Sequence, residues 1–225
     1  KLEEALKELP YRSEVQIQFR SFELDPDAPV NVDHDLNDAL AAKFGISREQ
    51  AKAMNDNVSE QARAVGLHYN LDRAVPTNTF DAHRLTQFAA QHGKMAEMTE
   101  RLFQAYFSEG LHIGDHDTLV KLAGEVGLNE SEARQVLESD QYTNEVRADE
   151  QEARQIGVQG VPFFVINRKY AVSGAQPVEV FVKALEQAHS EEKPNITFVG
   201  DNTESGAACT DTACTPENHK PERTS

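Results

Sequence analysis

The chain has 225 residues, 39% of them hydrophobic and 27% charged, which is enough to bury a core as one large domain or two small ones. A net charge of −16 argues against a nucleic-acid groove, because phosphate binding needs clustered Lys and Arg. The two cysteines, Cys209 and Cys214, are too few for a disulfide-built scaffold. No apolar run approaches the ~20 residues of a membrane span. KLEEALKELP shows no signal-peptide pattern, so no membrane partner is expected and cytoplasm is the expected location.

In chain order, residues 1–9 read as a helix, with Leu2, Ala5, Leu6 and Leu9 on one stripe and Pro10 as its stop. EVQIQFRSFEL then alternates, Val15, Ile17 and Phe19 against Gln16, Gln18 and Arg20, which predicts a strand within Glu14–Leu24. From Val32 to Ile156 almost everything reads as helix. Asp33 caps a segment ending at Phe44 and Gly45, and Ser47 caps the next, which ends at Gly66. Helices follow over Thr77–His92, Lys94–Ser108, Thr118–Val126, Ser131–Leu137 and Asp140–Ile156, the last of them highly charged and read as a solvated face. FFVIN, Phe163–Asn167, predicts a strand buried on both faces. Asn167-Arg168 turns it into KYAVSG, and PVEVFVKALEQAHS closes the pattern as a helix. Beyond Ser190 the polar, turn-rich sequence predicts a disordered tail.

A strand pair around a helical block predicts an α/β domain with a helical insertion. The run GVPFFVINRKYAVSGAQPVEVF, Gly160–Phe181, resembles the closing βα segment of DsbA-like thioredoxin-fold proteins, and within them the FrnE subfamily. AVPTNTFDAHRLTQFA, Ala74–Ala89, resembles the helical insert of the same family, which 2-hydroxychromene-2-carboxylate isomerases and kappa-class glutathione transferases share. The resemblance implies a thioredoxin-like domain at 1–31 and 157–190, a helical insertion at 32–156 and a disordered acidic tail at 191–225. It implies thiol–disulfide exchange on protein or small-molecule disulfides, glutathione among them, without a cofactor. It also implies that Pro162 is cis, and that Val161 and Pro162 face the redox cysteines and bind substrate. His83, in the insert, is placed under the cleft in a groove or packing role.

The family's C-x-x-C precedes the helix that KLEEALKELP resembles, and residues 1–190 hold no cysteine. The expectation is a chain shortened at its N-terminus, without its first strand; the rival is completion by a partner's strand. Cys209 and Cys214 form a C-x₄-C pair, open to three readings: a second redox pair, metal ligands with His219, or a structurally idle tail pair. LHIGDHD places His112 and His116 four apart, a metal face if helical, although Gly114 and the aspartates read as a loop with a helix cap, and no metal site is expected. Two other functions stay open: a kappa-type glutathione transferase or isomerase, and a non-catalytic thioredoxin-like module that binds an extended peptide.

Overall fold

A computed structural model describes residues 1–192. The described elements are helices α1 (Leu2–Glu8), α2 (Leu36–Phe44), α3 (Arg48–Ala64), α4 (Phe80–Gln91), α5 (Met95–Phe103), α6 (His116–Glu125), α7 (Glu130–Leu137) and α8 (Thr143–Gln155), then strands β1 (Phe163–Ile166) and β2 (Tyr170–Ser173), then α9 (Val178–Glu192). None of these helices is long and apolar enough to cross a membrane.

Helix boundaries follow cap chemistry. Ser47 and Gln50 form a capping box at α3, each side chain bonded to the other's backbone N–H. Asp35, two residues past the Asp33 expected from sequence, accepts from Asp38 N–H and opens α2. Asp115 caps α6 and Asn129 caps α7. Cationic side chains close other ends. Lys94 Nζ donates to the Val126 carbonyl at 2.6 Å. The Arg84 guanidinium donates to the carbonyls of Val136, in the last turn of α7, and of Ser139 and Gln141 beyond it. α5 does not continue to Ser108 as an α-helix; it gives way to a π-helical turn over Gln104–Glu109.

Two separate cores result. The larger is helical: Leu85, Phe88, Met98, Leu119, Leu122 and Leu137 meet between α4 and α7. The smaller is a helix-on-sheet layer in which Ala5 of α1, Val172 of β2 and Phe181 of α9 pack with Phe164. Leu6, Leu9 and Leu185 extend it toward Val15 and Ile166.

The sheet departs from the sequence reading in two ways. β1 and β2 pair antiparallel, Phe163 opposite Ser173, and are the one sheet among the described residues. Residues 15–24 form neither helix nor strand. A strand is defined by a partner ladder, and the backbone from Gln16 to Arg20 finds none among the described residues, leaving Ile17 51% and Phe19 38% exposed. Nor is β1 buried on both faces. α1 and α9 cover one side, where Phe164 and Ile166 pack, whereas Val165 on the other is 47% exposed. The hairpin turn is as expected: Asn167 and Arg168 both take left-handed backbone, φ 49° and 57°, and Lys169 N–H closes on Ile166 O at 3.0 Å. α9 runs on through Glu191 and Glu192, past the expected end at Ser190. The expected tail and both cysteines otherwise lie outside the described residues.

Candidate functional site

The loop between α8 and β1 is built by local rules. α8 ends where Gly157, at φ 80°, lets Val158 N–H reach back to the Ala153 carbonyl at 2.9 Å. The chain then turns through Gln159 and Gly160 into a cis Val161–Pro162 bond. Pro162 has no N–H and so sits at the start of β1, where no ladder donor is lost. Its carbonyl accepts from Gly174 N–H at 2.8 Å, which ties the loop to the end of β2. Gly174 holds φ 80°, a conformation open to glycine at no steric cost.

Val161 is 51% exposed, and its backbone makes no hydrogen bond among the described residues. Beside it lies an open pocket of about 320 Å³. Gly157, Gln159, Gly160, Val161, Pro162 and Phe163 line it from the loop, and Ser173 and Gly174 from β2. The arrangement offers free backbone donor and acceptor groups next to apolar side chains, which suits an extended chain laid alongside.

Val161 and Pro162 both line this pocket. His83 stands elsewhere: it lies in α4, hydrogen-bonded to the Phe22 backbone and facing Glu150, Asp149 and Arg147. Burial holds the imidazole below its ordinary pKa, against the pull of both acids. His112 and His116 turn to separate partners. His112 Nε2 is 2.8 Å from the Val30 carbonyl, and His116 Nε2 is 2.7 Å from Asp81 Oδ2. No group of three or more potential ligands occurs among the described residues.

The sequence reading missed the charged cluster around His83. The RADEQEARQ run was expected to be solvated, yet Asp149 and Glu150 are buried. Asp149 accepts from Arg20, the Ser21 N–H and Gln87 at 2.8, 2.9 and 2.8 Å. The helical period held the signal: Val146, Asp149 and Glu150 share one face of α8, and Val146 is fully buried.

Residues 1–186 match the DSBA-like thioredoxin domain family. The chain belongs to that family. It is 30% identical over 185 residues to the uncharacterized protein YwbO of Bacillus subtilis (strain 168), covering 81% of this chain and 85% of that one. It is 42% identical to the crystal structure of probable DsbA oxidoreductase SCO1869 from Streptomyces coelicolor, with a TM-score of 0.82 over 88% of this chain and 85% of that one. A structure from Nitrosomonas europaea, 19% identical with a TM-score of 0.54 over 64% of this chain and 74% of its own, shares the fold. The DsbA-like α/β thioredoxin fold is thus established, within a family of thiol–disulfide oxidoreductases.

Proposed function

We propose that the chain acts as a thiol–disulfide oxidoreductase of the FrnE type, receiving an extended, disulfide-bearing chain along Val161–Pro162. The observation that supports it most is the open Val161 edge, half exposed and without a backbone partner among the described residues, beside the 320 Å³ pocket. A bound chain aligns its backbone with Val161 and presents its disulfide over the pocket. A thiolate attacks one sulfur of that disulfide, the S–S bond breaks, a mixed disulfide forms and the other sulfur departs as thiolate. A second thiol then resolves the mixed disulfide.

The thiols of these 225 residues are Cys209 and Cys214, and their role as a redox pair belongs to this proposal, supported by their C-x₄-C spacing. So does the division into a discontinuous thioredoxin-like unit, 1–31 with 157–190, around an insertion at 32–156. The two separate cores support it.

Two measurements on the whole chain test the reading. Amide shifts during titration with a reduced, extended peptide should concentrate at Gly160–Phe163 and at Ser173 and Gly174; shifts confined to other surfaces would remove the substrate edge. Insulin reduction should fall in Cys209→Ala and Cys214→Ala and vanish in the double variant. Unchanged turnover would remove the tail pair while leaving the edge to stand on the titration.

A further inference from the structure

Two buried carboxyl groups meet where the Arg20–Glu23 segment lies against α8. Glu23 Oε2 and Glu150 Oε2 accept from the same Arg147 guanidinium nitrogen, at 2.6 Å and 2.7 Å. The other oxygen of each, Glu23 Oε1 and Glu150 Oε1, is shut off from solvent and finds no donor among the described residues. Two buried carboxylates that share one guanidinium nitrogen cannot both ionise freely, whereas one proton between them turns repulsion into an O–H···O bond.

The surroundings reinforce this. From the segment, Arg20 and the Ser21 N–H are engaged by Asp149. From α8, Arg147 lies between the two acids and Arg154 Nη1 is 3.9 Å from Glu150 Oε2. From α4, Phe80 lies 4.2 Å from the Arg147 guanidinium carbon, Gln87 donates to Asp149, and His83 faces Glu150 with its ring bonded to the Phe22 backbone. The three arginines keep their side chains open to water, whereas Glu23 and Glu150 are buried. Desolvation therefore falls on the acids.

We propose that Glu23 and Glu150 share a single proton and form, with Arg147, a latch that fastens the Arg20–Glu23 segment to α8 and loosens when the proton is lost. Burial raises the Glu23 carboxyl above its usual range, with Glu150 adding to the rise and Arg147 opposing it. Burial also acts to raise Glu150, but bonds from Arg147 and Glu23 outweigh it and hold that carboxyl below. The directions are opposite, as for one proton held by a pair. Loosening would travel forward, because the loop after Glu23 carries the start of α4: Asn78 N–H bonds Pro29 O at 3.1 Å, and Thr77 Oγ1 bonds Val30 O at 2.8 Å.

The test is a carboxyl-carbon NMR titration of the full chain, read beside exchange protection of the Ser21 amide corrected for intrinsic rate. Glu23 should titrate above the exposed glutamates and Glu150 below them. Ser21 protection should fall by up to about tenfold per pH unit between the titration of an exposed glutamate and the upper titration of the pair, and level off above it. In Glu23→Gln the amide donates to Glu150 as the proton did, so protection should stay level over that range. The proposal is overturned if Glu23 and Glu150 titrate together with the exposed glutamates, or if Glu23→Gln follows the wild-type profile. The wild-type titration decides alone if the variant does not fold.

Discussion

Tyr11 and His189 stack face to face, ring centroids 3.7 Å apart and planes inclined by 6°, so that the turn after α1 is pinned to the last turns of α9. The stack sits beside Leu9 and Leu185, closing one end of the smaller core. An aromatic pair of this kind contributes about 1 kcal/mol beyond its area burial. His189→Ala should therefore lower stability by about 1–2 kcal/mol in urea melts. The Tyr11 hydroxyl is buried without a partner among the described residues. Tyr11→Phe removes that orphan and should leave the midpoint unchanged or raise it; a loss as large as that of His189→Ala would mean that the hydroxyl is bonded after all.

Arg84 has its side chain only 5% exposed, donating to three carbonyls and to Asp81 Oδ1 at 2.7 Å. Arg84→Met preserves much of the volume but strands those carbonyls and leaves Asp81 with His116 alone. The expected cost is about 3 kcal/mol. Arg84→Lys, a point charge without the planar fork, should recover a minority of it. Equal stability of the lysine variant and the wild type would show that charge, rather than geometry, closes α7.

How far the sequence carried this fold depends on whether the signal was local. The capping box at Ser47, the glycine stops and the Asn167-Arg168 turn are written in neighbouring residues, and they were legible. The Val161–Pro162 loop was legible because its flanking residues resemble a family, and no period or spacing would have disclosed it. Residues 15–24 misled because alternation reports amphipathicity, whereas a strand also needs a partner ladder, a long-range fact. Asp149 and Glu150 misled because charge composition outweighed face periodicity. Their burial depends on Arg20, Ser21 and Glu23, more than a hundred residues earlier in the chain.

His83 supplies a pH prediction. Burial holds its imidazole neutral by depressing its pKa below that of an unfolded chain, which is about 6.5. The unfolded state therefore takes up the proton first as pH falls. The stabilisation is fully present above the unfolded value and declines as pH drops from there through the folded value. His83→Gln keeps a donor for the Phe22 backbone but does not titrate. Its melting temperature should fall less steeply than wild type below neutral pH, and the two curves should run parallel above it. Parallel curves on the acid side as well would show that His83 titrates as it does in an unfolded chain.

Val161 is where fold and proposed function separate most cleanly. Its side chain is half exposed and joins neither core, so Val161→Asp should change stability by no more than ~0.5 kcal/mol. An incoming extended chain would nonetheless lose the apolar contact and meet a new charge in a protein that already carries −16. Peptide affinity measured by calorimetry should drop about tenfold, or ~1.4 kcal/mol, with the drop largest for acidic peptides and reduced by salt, which screens exposed charges. Val161→Ile, which keeps the apolar surface, should bind as wild type does. If Val161→Asp binds peptide undiminished while folding normally, the chain is received on another surface and the open edge at β1 has no part in recognition.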